Sequence, residues 1–281
     1  MMGLFTTLQG ATPGAGLTFA ALALLLMGGE FAWLRLQGAH AHDGSESAAS
    51  LVVAAGNKVI GVLTAGLVAG PVMLVAEYRL FDLSINGPLM AALLFVAVDF
   101  TYYVHHRAMH RVRWLWASHA VHHSSSRINL TAAVRLAWGG PLTGGLLFYL
   151  PLVLLGFPPL AVFGMLGLNL TYQFFLHLAH PPHLGPLEWV LNTPRHHLVH
   201  HAANPSCLDR NFGGVLIVFD RLLGTFAPTP AGESLVFGLA GGARATHPLA
   251  IVVVGWAPML KDAWVARGIR ARLSVLFGPP S

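Results

Sequence analysis

Long stretches of hydrophobic residues alternate with shorter polar segments along this chain. At about 1.5 Å of rise per helical residue, the stretches are long enough to cross most of a bilayer. They lie at 17–36, 59–77, 88–104, 139–156 and 158–176. The pattern predicts an all-α fold: an integral membrane bundle of about four or five transmembrane helices, with polar helical segments forming a cap on one side.

Turn-forming residues mark the ends of these spans. Gly87-Pro88 opens the third span, and Gly156-Phe157-Pro158-Pro159 separates the fourth from the fifth, which predicts a tight helical hairpin. No basic region precedes the first apolar stretch, so we expect a membrane helix there rather than a cleaved signal peptide. Leu249–Trp256 is too short to span a bilayer and is expected to be buried or interfacial.

Composition supports the membrane assignment. Hydrophobic residues make up 55% of the chain and charged residues 10%, with a mean hydropathy of +0.63. Soluble proteins carry about 25% charged residues, so a very apolar soluble enzyme is the weaker alternative. Cys207 is the only cysteine, which excludes intrachain disulfides and thiolate metal clusters.

The formal net charge of +5 comes from basic residues that form no run, so the charge does not indicate nucleic-acid binding. The basic residues lie mainly as arginines in the polar segments at 107–135 and 195–210, and as Lys261 with three arginines in the tail at 261–272. The positive-inside rule predicts that all three segments lie on the cytoplasmic side. The hairpin between the first two segments would then begin and end on that same side.

Histidine is the compositional outlier, with 16 residues in the chain. The motif His-x-x-His-His occurs twice, at 119–123 and 197–201, and on a helix its three imidazoles share one face. His106 and His110 form a further i, i+4 pair, and His177 closes the fifth span. The nine candidate metal ligands are His106, His110, His119, His122, His123, His177, His197, His200 and His201. Nine imidazoles exceed the needs of one zinc ion and suit two metals, although imidazole alone does not choose between iron, zinc, copper and nickel.

An acidic residue inside an apolar span is costly and usually functional or paired, and Asp99 is such a residue. Asp99, Tyr103, His106 and His110 follow one helical stripe. We therefore hypothesise that Asp99 accepts the second ring N–H of a ligand histidine, most directly His106, as metal-bound imidazoles usually require. The alternative is a structural hydrogen bond to Tyr102, Tyr103 or a neighbouring helix. Tyr103 is a further catalytic candidate.

Several other polar residues lie near the motifs. His196 abuts the second triple motif and is a possible tenth ligand. Asp209 and Asn211 are candidates for hydrogen bonding to a ligand or for capping a turn. His40, His42 and His247 are expected in loops or at the surface. The pattern assigns no role to His105, His180 and His183.

The histidine motifs resemble the three histidine boxes of the fatty acid hydroxylase/sterol desaturase superfamily. The matching segments are Asp99–His110, Leu115–Ser125 and Asn192–His201, and Leu208–Phe226 is also characteristic. The resemblance covers roughly 88–280 and is strongest to bacterial sterol-desaturase-like proteins near the alkylglycerol monooxygenase branch. The final segment Phe277–Ser281 also resembles that branch, so we expect the chain to be nearly complete there.

The resemblance implies a non-haem diiron site held by the nine histidines, with His196 possible, on the cytoplasmic side. It implies O2-dependent hydroxylation or desaturation of a lipid, hydroxylation being favoured. Electrons would come from NAD(P)H through a separate ferredoxin, cytochrome or reductase. A bacterial inner-membrane location follows. The expected domains are N-terminal membrane helices at 1–87, a catalytic domain at 88–230 and a cytoplasmic or interfacial tail at 231–281.

Three positions depart from the family pattern near the expected pocket: Ser126-Arg127, Arg135-Leu136 and Leu178-Ala179. Two other classes of function also use membrane-bound histidines. A metal transporter would place its site near the bilayer midplane on broken helices, whereas these histidines follow the ends of spans. A zinc hydrolase would need a general-base carboxylate beside its ligands, as in His-Glu-x-x-His, and neither triple motif contains one.

Overall fold

In the computed structural model, residues 13–38, 42–242 and 245–280 are described, and their regular elements are helical apart from two isolated β-bridges. The all-α prediction is confirmed. The α-helices are α1 Pro13–Leu36, α2 Gly44–Glu77, α3 Pro88–Arg111, α4 Arg113–His123, α5 Leu130–Ala133, α6 Leu150–Leu155, α7 Pro159–Phe174, α8 Pro194–His201, α9 Val218–Leu222, α10 Pro248–Val253, α11 Trp256–Val265 and α12 Ile269–Phe277. Short 3-10 helices cover Gly140–Thr143, Gly145–Phe148, Phe175–His177 and Gly185–Trp189. His40 lies outside the described residues.

Four helical segments in the described part of the chain are long and apolar enough to cross a membrane: Thr18–Leu36, Gly44–Glu77, Pro88–Arg111 and Pro159–His177. Large apolar side chains on them point outward, including Leu25 and Val62, which are 72% and 78% exposed. Exposed apolar side chains on long helices are expected where lipid is the surrounding solvent. The chain is therefore an integral membrane protein.

The fourth predicted span, at 139–156, is not one helix, and that prediction is corrected. The chain there forms two 3-10 turns and then the short helix α6. Gly144, between the two turns, has a φ of +100°, which an α-helix does not accommodate. The turn before α7 is present as predicted. Gly156 has a φ of +128°, and a Cβ on it would collide with the carbonyl of Phe81.

The second predicted span begins earlier than hydrophobicity indicates. Helix α2 starts at Gly44, where the Asp43 carboxylate accepts hydrogen bonds from the amides of Ser45 and Glu46. Its first turns carry polar residues that face the cap rather than lipid. Asn57 donates to the carbonyl of Ala137 at 2.6 Å, and Ser50 is buried.

Carboxylates of two membrane helices attach the polar cap to the bundle. Glu30 of α1 accepts hydrogen bonds from the amides of Leu130 and Ala179 at 2.8 and 2.9 Å. Glu46 of α2 accepts from Ser125 and Ser126. It also pairs at 3.3 Å with Arg135, whose side chain is fully buried. These contacts hold the segments that follow α4 and α7 against the same end of the bundle.

Helix α10 closes the cap from the other side. Its Ile251 is fully buried and packs in one apolar cluster with Ala49 and Val53 of α2 and Val121 of α4. This segment corresponds to Leu249–Trp256, which was expected to be buried or interfacial. Ile251 is the residue of this segment that is fully buried, and it supports the helix that carries the first triple motif, whereas Leu249 and Val253 are exposed.

Candidate metal centre

Nine histidines meet in two groups at the capped end of the bundle, and these are the nine predicted ligands. The first histidine group contains His106, His110, His119, His123 and His200. The second histidine group contains His122, His177, His197 and His201. In each group, one nitrogen of every ring lies within 4.8 Å of all the others. Neither group contains a carboxylate from the described residues.

The two triple motifs are divided between the groups. Helix α4 gives His119 and His123 to the first group and His122 to the second, while α8 gives His200 to the first and His197 and His201 to the second. The rings of His123 and His201 stack across the boundary with centroids 4.4 Å apart. Side chains at positions i, i+3 and i+4 of a helix share one face but are spread widely enough on it to reach two neighbouring sites. Both α4 and α8 supply histidines to the two groups in this way.

Backbone carbonyls fix the tautomers of three of these rings. The Nδ1 atoms of His106, His177 and His200 lie 2.9, 2.9 and 2.8 Å from the carbonyl oxygens of Phe212, Gln173 and Arg210. A carbonyl only accepts, so each Nδ1 carries the proton and each Nε2 of the neutral ring presents a lone pair. Hydrogen bonds of this kind orient metal-bound imidazoles.

The Nε2 atoms face one another closely. His106 Nε2 lies 3.0 Å from His119 Nε2, and His177 Nε2 lies 3.1 Å from the Nε2 atoms of both His122 and His197. The Nε2 atoms of His110 and His200 are buried and have no hydrogen-bond partner among the described residues. Such a set of lone pairs is costly to bury unless a cation receives them. Metal–imidazole bonds of about 2.0–2.1 Å would bring adjacent ligand nitrogens about 3 Å apart, so the donor sets fit two transition-metal ions.

Burial keeps these imidazoles neutral. Removal from water lowers the pKa of His119, His123, His197 and His201 well below the ordinary value, and repulsion from neighbouring rings lowers it further. Burial also lowers the pKa of His200 to about 4, despite the opposing hydrogen bond to Arg210. A histidine must be deprotonated to bind a metal, so near neutral pH these rings are in the binding form.

The expected contact between Asp99 and His106 is not present, and this prediction is corrected. Asp99 is fully buried and accepts hydrogen bonds from the side chain of Asn169 and from the amides of Val215 and Leu216, at 2.6, 2.8 and 3.0 Å. This is the structural alternative, a bond to a neighbouring helix. Asp99 thus holds the loop whose Phe212 carbonyl accepts from His106, one step removed from the ligand.

A chain of polar side chains continues from Asp99 through the membrane helices. Gln173 donates to Asn169 at 2.5 Å and accepts from the Tyr102 hydroxyl at 2.7 Å. The carbonyl of the same Gln173 accepts from His177. Asn169 and Gln173 were not predicted, although two amide side chains at i, i+4 in an apolar span are a usable signal.

His196 belongs to neither histidine group, which corrects its proposed place as a tenth ligand. Its Nδ1 accepts from the amide of Thr193 at 3.4 Å, so it caps the start of α8, and its ring lies against Phe226. The bond to the helix start and the contact with Phe226 hold the His196 side chain apart from both histidine groups.

The remaining polar candidates have other partners. The Tyr103 hydroxyl lies 2.9 Å from Thr225 Oγ1 and accepts from Arg107. Asp209 reaches the first histidine group, with 3.9 Å between its carboxylate and His110 Nδ1. Asn211 instead bridges the carbonyl of His196 and the amide of Ala227.

The other histidines lie outside the two groups. His105 packs against Phe148 and Tyr149, and His180 against Trp33. His183 and His247 are exposed, as expected for His247. His42 lies in the non-helical segment before α2, as expected of a loop residue, but its side chain is only 3% exposed and lies 3.5 Å from Glu30.

Comparisons with known proteins find a matching family and several similar proteins. The fatty acid hydroxylase family matches residues 91–225, which include both histidine groups. Alkylglycerol monooxygenases of Xenopus tropicalis and Homo sapiens are each 39% identical, over 204 and 205 residues, or 73% of this chain and 45% of those proteins. Ornithine lipid hydroxylase OlsE of Rhizobium tropici is 35% identical over 147 residues, 52% of this chain and 44% of that protein. The chain thus spans less than half the length of these relatives. No solved structure matches it with significance.

Proposed function

Since the chain belongs to the fatty acid hydroxylase family through residues 91–225, we propose that it is a membrane-bound, non-haem diiron enzyme that hydroxylates a C–H bond of a lipid with O2. The observation that carries the proposal is the pair of all-histidine groups, with five and four donors, at the end of an apolar helical bundle. Relatives named for an alkylglycerol and for an ornithine lipid support a lipid substrate.

Bound irons would activate O2 for this reaction, in which the C–H bond, O2, two electrons from an external donor and two protons give an alcohol and water, so that one oxygen atom goes to the lipid and the other to water. The chain's own task is to hold the metals and the lipid in register. Hydrogen bonds from His106, His177 and His200 to backbone carbonyls orient the donor atoms. Burial of the two groups excludes bulk water from the reacting C–H bond.

The lipid would lie along the membrane-facing surface of α6 and α7. Large apolar side chains are exposed there, including Leu154, Leu168 and Leu170. Helix α7 continues directly into Phe175–His177, so an acyl chain lying along it would point toward the second histidine group.

Electrons would come from NAD(P)H through a separate ferredoxin, cytochrome or reductase, as in the resembling superfamily. The site would face the cytoplasm of a bacterial cell. Arg107, Arg111 and Arg195 support this orientation, because they lie at the same end of the bundle as the histidine groups.

Metal analysis of the full chain purified in detergent tests the proposed centre. We expect two irons per chain after anaerobic loading with Fe(II). One tightly bound zinc would favour the hydrolase alternative, and loosely held, exchangeable metal would favour a transporter; either result would contradict the diiron proposal.

Comparative lipidomics tests the reaction. Cells expressing the chain should accumulate a lipid heavier by one oxygen atom, and cells expressing His200→Ala at the same level should not. A product lighter by two hydrogens would identify a desaturase instead. No oxidised lipid in cells whose purified protein holds two irons would count against a lipid substrate.

A further inference from the structure

The last two helices present an exposed apolar stripe. In α12, Ile269, Leu273 and Phe277 follow one another at i, i+4 and i+8 and are 73%, 47% and 55% exposed. In α11, Leu260 and Trp264 form a similar pair, and the Trp264 side chain is 82% exposed. Side chains of this size on one face of a helix pair require a covering partner.

Basic residues border this stripe. The exposed cations of the C-terminal helix pair (α11 and α12, with the connecting residues) are Lys261, Arg267, Arg270 and Arg272. On α12, Arg270 and Arg272 flank the stripe on its two sides, at about 100° and 60° from Ile269 on the helical wheel. The one acidic residue of the pair, Asp262, is engaged by Arg113 of α4. The surface therefore has an uncompensated positive charge around an apolar centre.

The pair is fastened where the membrane-spanning part of the chain ends. Arg113, two residues after the end of α3, donates its amide to the carbonyl of Gly278 at 2.9 Å. The adjacent Trp114 ring lies 5.0 Å from that of Trp256 and packs on Phe277. The same Trp114 donates to the carbonyl of Thr143, just before the segment that exposes Leu147. The stripe thus lies beside the membrane-facing surface, at the boundary with water.

We propose that the C-terminal helix pair lies in the membrane interface, with its apolar stripe among the lipid chains and its basic residues bound to anionic lipid headgroups. Aromatic and apolar side chains bordered by Lys and Arg are the composition of an interfacial helix, and juxtamembrane cations bind anionic lipids. A soluble acidic protein fits the charge but not Ile269, Leu273 and Trp264. The inference rests on the membrane setting and not on the proposed oxidation chemistry.

Site-directed spin labelling of the full chain in nanodiscs tests this placement. In a Cys207→Ala background, one label is attached at Leu273→Cys in the stripe and another at Ala271→Cys, which is exposed on the opposite side of α12. We expect the label at 273 to collide with O2, which concentrates in lipid, and the label at 271 to collide with a water-soluble nickel chelate. Chelate access at both positions would overturn the proposal and leave the stripe free for a soluble partner.

The lipid charge is tested by comparing phosphatidylcholine discs with discs that also contain phosphatidylglycerol. The label at 273 should be several-fold better protected from the chelate when phosphatidylglycerol is present. Arg267→Gln combined with Arg270→Gln and Arg272→Gln should remove that difference, whereas Arg79→Gln, at the far end of α2, should not. Equal protection in the two lipids would overturn the anionic partner, and this comparison needs no substitution of a basic residue.

Discussion

Each of the nine grouped histidines has one nitrogen directed at its group, because its other nitrogen is engaged or its ring is confined by neighbours. His200 shows this most clearly: its Nδ1 donates to the carbonyl of Arg210, and its buried Nε2 has no hydrogen-bond partner in the described part of the chain. His196, four residues earlier on the same helix, differs in that its nitrogen caps the helix start. The two residues therefore form a matched pair for testing ligation.

His200→Ala should lower the metal content to about one equivalent per chain and abolish lipid oxidation, since it removes one donor of the first histidine group. His196→Ala should retain both metals and lose about 0.5–2 kcal/mol of stability as a lost cap. Metal analysis and thermal unfolding of the purified variants measure the two effects. Equal metal loss in both variants would mean that α8 is misplaced rather than that one ligand is missing.

The choice of the nine histidines could be predicted at this scale, because helical spacing is a local property. Their division into two groups, and the exclusion of His196, could not. The histidine group that each imidazole joins depends on how α4 and α8 pack against one another. The partner of Asp99 also depended on tertiary packing: spacing along α3 pointed to His106, whereas the side chain bonds to α7 and to a distant loop.

Among the elements, the loop from Phe212 to Leu216 connects the membrane helices to the first histidine group. Asp220 accepts from the amides of Phe212 and Gly213, and Asp99 from those of Val215 and Leu216. Between these two pairs of amides, Gly214 packs directly against the hydrogen-bonded side chains of Asp99 and Asn169. A Cβ there would stand 2.6 Å from Asn169 Nδ2 and 2.8 Å from Asp99 Oδ1.

Gly214→Ala should therefore destabilise the protein by about 1–3 kcal/mol, the usual range for overpacking. It should also weaken metal binding, because displacement of this loop moves the carbonyl that orients His106. Gly164→Ala in α7, where a Cβ meets no neighbour, is the matched control. Thermal unfolding and titration with Fe(II) give the two readouts. Wild-type affinity in Gly214→Ala would show that the loop does not position the ligand.

The four long helices could be predicted from hydrophobicity, whereas the broken segment at 139–156 could not. An average over a window registers its leucines but not the backbone conformation at Gly144. The polar residues at the start of α2 had the opposite effect, because they made the predicted span begin later than the helix does. They lowered the apolar signal although Ser50 and Asn57 are satisfied inside the cap.

For the whole molecule, the histidine groups make stability depend on pH. Burial lowers the pKa of histidines such as His119, His197 and His201 in the folded state, and that of His200 to about 4. Below the ordinary pKa of about 6.5, the unfolded chain therefore binds more protons than the folded chain. Stability is complete above that value and is lost as the pH falls toward 4.

Metal-free protein in detergent should accordingly unfold at progressively lower temperature between pH 7 and pH 5, as followed by differential scanning fluorimetry. His197→Gln removes one of the proton-binding sites, so its unfolding temperature should depend less steeply on pH. An unfolding temperature that stays flat or rises over this range would contradict the burial of neutral imidazoles.

The sharing of α4 and α8 between the two histidine groups has a thermodynamic consequence for loading. A metal in the first group orders both helices, and with them His122, His197 and His201 of the second. The second metal then binds to donors whose conformational entropy has already been lost, so its affinity rises, and by linkage the effect is reciprocal. In the proposed diiron centre, positive cooperativity of this kind would favour empty and doubly loaded chains over singly loaded ones when iron is limiting. Such a distribution limits the population of half-assembled centres, in which one iron would meet O2 without its partner.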